Sequence, residues 1–261
     1  IARSCTRMGV EFVAVYSDAD RSAAHLENAA ATAHIGGSAA SSSYLDGARI
    51  VSAALDTGCE AVHPGYGFLS ENANFARAVT DAGLIFIGPH ADTIDALGDK
   101  ARAKQLMRDA GVPVVPGSSE ATEDKLRLTE LASEVGYPLL LKPSAGGGGK
   151  GMQVVREPDA LSDAIEAGVR IARSSFGDGR MLVERYVQRP RHIEVQVFGD
   201  TQGNVVHAHE RECSLQRRHQ KVVEEAPAAT ISHATRDALL ASAVEGAKAI
   251  AYVNAGTFDV Q

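Results

Sequence analysis

Apolar and polar positions along the chain fall into three successive rhythms. The first consists of short apolar runs separated by helical stretches. "EFVAVY" at 11–16 is apolar and rich in β-formers, and predicts a strand. "SYLDGARIVSAALDTG" follows at helical spacing with a glycine stop, and "CEAVHP" predicts a second buried strand. "SENANFARAVTDAG" predicts a helix capped by Ser70 and ended by Gly83, with "LIFIGP" as a third strand. Strands and helices in that alternation predict a parallel sheet.

The second rhythm begins at "GDKARAKQLMRDAGVPVVPG", where Ala103, Leu106, Met107 and Ala110 share one helical face before Gly111 and Pro113. It continues with a helix within 123–135, strands at "YPLLLKPS" and "MQVVR", a helix from Pro158 to about Ser175, and a strand at "MLVERYV". From Arg191 the pattern becomes strict alternation. Ile193, Val195 and Val197 take one face of a strand, and His192, Glu194 and Gln196 the other. The turn "GDTQGN" and the run "VVHAHERE" complete a hairpin, so antiparallel pairing replaces parallel. The expected divisions are 1–97, a connecting helix at 98–113, then 114–187 and 188–261.

Composition narrows the function classes. Hydrophobic residues at 44% and charged residues at 23% are ordinary globular values, which exclude disorder and fibrous repeats. A formal charge of -7 argues against a general nucleic-acid or membrane-surface binder. Three cysteines without a C-x-x-C pair suggest neither a disulfide framework nor a zinc ribbon, and fit a reducing compartment. No run of about 18 apolar residues and no signal-peptide core is present. The start at Ile1 and the strand-like run "AGTFDVQ" at the other end lead us to expect a chain shortened at both ends.

The candidate chemistry is phosphate handling. In "KPSAGGGGKGM" four glycines lie between apolar strand runs, which disfavours a linker; Gly151 after Lys150 and the strand that follows disfavour a Walker loop. A bare turn that can approach phosphate oxygens remains, beside the blander reading of a flexible turn. "HPGYGFLSEN" joins a strand end to a helix start through a glycine-rich turn, where ligands of open α/β sheets bind, though tight turns alone also need Gly65 and Gly67. "CSLQRRHQKVVEEAP" concentrates Arg217, Arg218, His219 and Lys221 and fits an anionic substrate pocket better than a nucleic-acid patch or a solvated loop. His207 and His209 could be a metal pair, but no third His or Cys stands at ligand spacing nearby.

Taken in order, "HPGYGFLSENANFA", "GDK", "KPSAGGGGKGM", "ERYV", "PRHIEVQVFGD" and "ERECSLQRRHQKVVEEAPA" resemble the biotin carboxylase subunit or domain of biotin-dependent acyl-CoA carboxylases, an ATP-grasp enzyme. The resemblance implies an α/β and α+β chain: a Rossmann-like N-terminal domain, an ATP-grasp lid and part of the ATP-grasp C-terminal subdomain. It implies MgATP-dependent carboxylation of carrier-bound biotin with bicarbonate via carboxyphosphate. It leans toward a methylcrotonyl-CoA, acetyl-CoA or propionyl-CoA carboxylase. ATP, Mg2+ or Mn2+, and biotin are the implied cofactors and substrates.

By the same resemblance, Lys100 and Lys142 hold ATP phosphates, and Gly146, Gly147, Gly148, Gly149, Lys150 and Gly151 form the lid loop. Glu184 and Val187 form the adenine hinge, and His192 and Glu194 lie along the nucleotide. Gln216, His219, Gln220 and Lys221 line the γ-phosphate and bicarbonate, with Lys221, His219 and Gln220 as the catalytic set. Tyr66 stands near the biotin side, and Asp259 falls where the family has a Mg-binding glutamate. The family's opening strand is reduced here to Ile1–Ala2, and its second Mg-binding glutamate, an asparagine and its bicarbonate-binding arginines would follow Gln261. The isolated chain is therefore expected to bind ATP without turnover.

Implied partners are a biotin carboxyl carrier protein or domain and a carboxyltransferase, in a homodimer or larger complex, with no nucleic acid and no membrane. The expected location is the cytoplasm, or the mitochondrial matrix in a eukaryote. Another ATP-grasp ligase resembling carbamoyl-phosphate synthetase, or a non-catalytic ATP-binding module, remains the alternative.

Overall fold

The computed structural model describes residues 1–145, 149–217 and 220–260. They form two compact units, Ile1–Asp95 and Ala96–Gln261.

In the first unit α1 (Ala2–Met8) ends at Gly9, whose φ of 68° suits a residue without a side chain. Strands β1 (Val13–Ser17) and β2 (Ala31–Gly36) pair in parallel. Helix α2 (Gly47–Asp56) starts where the Asp46 side chain accepts from the Arg49 N–H at 3.1 Å. Strand β3 (Ala61–Val62) leads into α3 (Ala73–Asp81), and β4 (Ile85–Phe86) pairs parallel to β3. Ala54, Val62, Phe75, Val79 and Leu84 make the core between these helices and strands. Helix α4 (Ala91–Gly98) runs across the division between Asp95 and Ala96.

Two expectations need correcting here. The helix at 70–83 is capped by Asn72, whose side chain accepts from Phe75 N–H at 2.9 Å, and not by Ser70. At Ser70 the backbone is still turning, with its N–H bonded to Gly67 O at 2.9 Å. Strand β2 also lies in a stretch that the periodicity left blank. Its first four residues expose most of their side chains, so pairing with β1 creates the strand where no apolar alternation announces it.

The second unit opens with α5 (Lys100–Asp109), separated from α4 at Asp99. The Asp99 carboxylate accepts from Ala101 and Arg102 N–H at 2.9 and 3.1 Å, so a new helix starts inside the segment predicted as one. Then come α6 (Lys125–Val135), β5 (Leu139–Pro143), β6 (Gln153–Val155), α7 (Leu161–Phe176) and β7 (Met181–Arg185). The strands form an antiparallel sheet in the order β6-β5-β7. Leu139, Leu141, Val155, Met181 and Val183 face α6 and α7 and pack on Leu128, Leu131 and Ile165. By strand alternation Leu140, Lys142, Leu182 and Glu184 lie on the opposite face.

A second antiparallel sheet contains β8 (Ile193–Gly199), β9 (Val205–Arg217), β10 (Gln220–Glu225) and β11 (Asn254–Val260), in the order β10-β9-β8-β11. Ile193, Val195 and Val197 are buried, as their alternation predicts. Helix α8 (His233–Ala249) covers that face with Leu240, Ala243 and Ala247. Its sequence carries alanine on every side and no clear apolar stripe, so this helix has no counterpart in the periodicity reading. Within the segment 213–227, residues 213–217 complete β9 and residues 220–225 form β10, paired antiparallel to it.

Candidate functional site

Three lysines and one carboxylate meet on the face of the β6-β5-β7 sheet opposite α6 and α7, where α5 approaches it. Lys142 stands opposite Leu182 and Glu184 opposite Leu140, which places Lys142 and Glu184 diagonally on one face. Lys142 Nζ lies 2.9 Å from Glu184 Oε2, and Lys104 Nζ from α5 lies 3.0 Å from Oε1. Lys100 Nζ, one helical turn before Lys104, donates to Ser144 O at 3.2 Å. Burial pushes the Glu184 carboxyl up most strongly of all single influences, yet Lys142 and Lys104 together outweigh it and leave Glu184 below its ordinary range. Burial, then the nearby Lys142 charge, lowers Lys100. Such a collection of cations around one carboxylate keeps a positive surplus suited to an anionic ligand.

The second cluster lies on the β10-β9-β8-β11 sheet. Asp259, Glu194 and Arg211 stand opposite one another across β11, β8 and β9. The face read as polar is not a solvent face: the Glu194 side chain is 2% exposed. It is balanced by Arg211, with an Nη2–Oε2 distance of 2.6 Å, and by the Lys221 ammonium from β10. Lys221 Nζ also lies 3.7 Å from Asp259 Oδ1.

His192, just before β8, is oriented from both sides. Gln216 Nε2 donates to Cys213 O at 2.9 Å and to His192 Nδ1 at 2.7 Å. A nitrogen that serves as donor to the first acceptor makes Nδ1 an acceptor too, so neutral His192 carries its proton on Nε2 and donates to Asp259 Oδ1 at 3.0 Å. Burial raises the Cys213 thiol, which therefore stays protonated at neutral pH.

His192, Glu194 and Asp259 have ligand atoms within 4.8 Å of one another. Glu194 and Asp259 offer the oxygen donors that Mg2+ prefers, whereas His192 Nε2 is committed as a donor. One or two carboxylates completed by phosphate oxygens is the usual protein share of a Mg2+ site, so the donor set fits. Lys221 lies against both carboxylates, so a metal held there would share them with its ammonium.

The other residues singled out from the sequence are distributed as follows. Gly149 and Gly151 have φ of 74° and 80°, and Lys150 between them is exposed. A Cβ at Gly151 would sit 3.0 Å from Pro143 Cγ, so both conformation and space favour glycine there. Gly146, Gly147, Gly148, Arg218 and His219 lie outside the described residues. Val187 follows β7 half-buried, and Gln220 opens β10 exposed. Tyr66 is 95% exposed in the first unit, between Gly65 and Gly67, both with positive φ. His207 and His209 have ring centroids 5.3 Å apart at a bulge where His209 has φ of 60°. They join no cluster of three possible metal ligands among the described residues.

Sequence reasoning missed two members. Lys104 falls on the polar positions of an amphipathic helix, and only its spacing of four from Lys100 and Arg108 marks a cationic stripe. Counting across the hairpin turn would set Glu210 opposite Glu194; a bulge in β9 shifts the register by one and brings Arg211 there, which the sequence does not reveal.

Comparison with known proteins adds family matches over both units. Residues 1–94 match the family model "Biotin carboxylase, N-terminal domain", and residues 99–261 match "Carbamoyl-phosphate synthase L chain, ATP binding domain". Methylcrotonoyl-CoA carboxylase subunit alpha, mitochondrial, of Glycine max is 51% identical over 99% of this chain and 35% of its own length. Biotin carboxylase of Halalkalibacterium halodurans is 48% identical over 99% of this chain and 57% of its own. The crystal structure of the biotin carboxylase-beta-gamma-ATP complex from Campylobacter jejuni superposes with a TM-score of 0.96 at 47% identity, covering 99% of this chain and 58% of that one. The biotin carboxylase domain of Hydrogenobacter thermophilus 2-oxoglutarate carboxylase, in complex with MgADP, ADP and bicarbonate, gives 0.94 at 44% identity, covering 99% and 57%. The chain thus spans between about a third and three-fifths of the length of these relatives.

Proposed function

This chain belongs to the biotin carboxylase family, and from that premise we propose that the protein carrying it uses MgATP and bicarbonate to carboxylate biotin on a carrier protein. The reaction passes through carboxyphosphate, and the carboxyl group goes on to a carboxyltransferase partner of an acyl-CoA carboxylase. The methylcrotonyl-CoA type is our first choice of acceptor, on the identity to the Glycine max subunit. The 261 residues themselves supply the nucleotide site.

The observation that carries this reading is the gathering of Lys100, Lys104 and Lys142 around Glu184 in a chain whose ATP-bound relative superposes over 99% of its length. Lys100 and Lys142 take phosphate oxygens, and the glycines at 146–151 serve as the lid loop. Glu184 and the backbone at Val187 hold the adenine. On the second sheet Lys221 stabilises the negative charge that develops as bicarbonate attacks the γ-phosphoryl group, and His219, Gln220 and Gln216 assist it. Glu194 and Asp259 would hold Mg2+, which when bound neutralises phosphate charge. Tyr66 serves the biotin side. In the complete enzyme the working form is a dimer or larger assembly. None of its described helices is long and apolar enough to cross a membrane, and cytoplasm or mitochondrial matrix is the proposed location.

Titration of the chain with MgATP tests the nucleotide site, and bicarbonate-dependent ADP release by the complete protein, stimulated by free biotin, tests the reaction. Absence of ATP binding by the folded chain overturns this reading. The name of the model matched by 99–261 favours one second reading, a ligase resembling carbamoyl-phosphate synthetase. Stimulation by an amine donor in place of biotin would establish it.

A further inference from the structure

Lys104 is the buried residue of α5, although nothing in its sequence context marks it as interior. Its side chain is 7% exposed, against 26% for Lys142, and both ammonium groups contact the same carboxylate. We propose that Lys104 is a positioning residue for nucleotide binding: by occupying Glu184 Oε1 it keeps Lys142 available to leave Oε2 for a phosphate. The proposal rests on reading Lys142 as a phosphate contact.

The geometry separates the two lysines. Lys104 is fixed by the helix that carries it, because Lys100 and Arg108, one turn to either side, bond Ser144 O at 3.2 Å and Gly117 O at 3.0 Å. These three anchors set the rotation of α5. Gly117 keeps the space open: a Cβ there would lie 2.4 Å from Val183 O, 2.8 Å from Glu184 Cα and 2.9 Å from Lys104 Nζ. Lys142 comes instead from a strand, is partly exposed, and is the partner able to move. The Glu184 side chain is only 12% exposed and needs a counterion whether or not ligand is bound. With Lys104 in place that need is met after Lys142 departs. Without it Lys142 is the one cation left in an ion pair with Glu184 among the described residues, and is retained by the carboxylate in competition with phosphate.

A double-mutant cycle on the 261-residue chain tests this, with MgATP affinity as one readout and the rate of Lys142 acylation by a limiting amine-reactive ester, followed by mass spectrometry across pH, as the other. K104M is expected to weaken MgATP binding about tenfold. It is also expected to move the pH profile of Lys142 acylation upward, because the amine is then held protonated by the whole carboxylate. In an E184Q background, where no carboxylate captures Lys142, adding K104M is expected to cost nothing further. Equal losses from K104M in both backgrounds, or an unmoved acylation profile, overturn the proposal and leave Lys104 a packing residue or a simple charge. Should K104M fail to fold, K104Q, whose shorter neutral donor supplies no counterion, must show a coupling of the same sign and smaller size. If the parent chain binds no MgATP the functional reading fails, while the acylation profiles still decide whether Lys104 governs Lys142.

Discussion

Single buried charges decide more of this molecule than its apolar residues suggest. Glu210 has a fully buried side chain; it accepts from Arg236 Nε at 2.7 Å and from Ala228 N–H at 3.1 Å, and Arg236 Nη2 in turn donates to Ala228 O at 2.8 Å. This links β9 to the start of α8 and to the segment after β10. Removing the cation strands a charge away from water, so Arg236→Met is expected to cost about 3 to 5 kcal/mol in denaturant unfolding. Arg236→Met with Glu210→Leu should recover much of that loss. At the candidate metal cluster, Asp259→Asn removes an oxygen donor while conserving size. We expect Mn2+ binding in the presence of ATP, followed by electron paramagnetic resonance, to weaken about tenfold or more.

At the scale of elements, α5 and the β9-β10 hairpin carry the site, and each depends on a local device. The Asp99 cap ends one helix and begins the next, so it sets the first turn that holds Lys100. Asp99→Ala is expected to lower stability by about 1 kcal/mol and to weaken MgATP binding through Lys100, measured by thermal melting and titration together. Legibility varies along these elements. The β8 strand is readable because its inner face is uniformly apolar and period 2 survives. Helix α8 and strand β2 are not, since alanine in the one and exposed small residues in the other give no contrast between faces. The register that sets Asp259, Glu194 and Arg211 in one row is invisible along the chain, because it depends on where the hairpins turn and where β9 bulges.

For the whole molecule, the two units and the buried acids govern behaviour with pH and ligand. Glu184 and Glu210 are both held below the ordinary carboxyl range: burial pushes each up, but Lys142 and Lys104 in the first case, and Arg236 with backbone N–H groups in the second, overcome it. The unfolded chain binds those protons first as pH falls. The stability they contribute is therefore complete above about pH 4.3 and is lost as pH drops below that through their lowered folded values. Melting temperature should be flat from neutrality to about pH 5 and then fall, with a shallower fall in Glu210→Gln. MgATP at a hundredfold excess over its dissociation constant should stabilise the folded chain by about 2.7 kcal/mol, and the gain should vanish in Lys142→Met.

By itself the sequence determined the element types with strong periodicity, the glycine turn between two strands, and the family. Those follow from local spacing, backbone permissiveness at Gly149 and Gly151, and long contiguous motifs. Only the tertiary structure decided that Lys104 is interior, that Glu194 on a polar-looking face is buried between Arg211 and Lys221, and that Gln216 sets the proton of His192. Each of those is a meeting of residues 3 to 80 positions apart. A charged side chain has no periodic signature of burial, because what lets it go inside is its partner, and the partner arrives only when the chain folds.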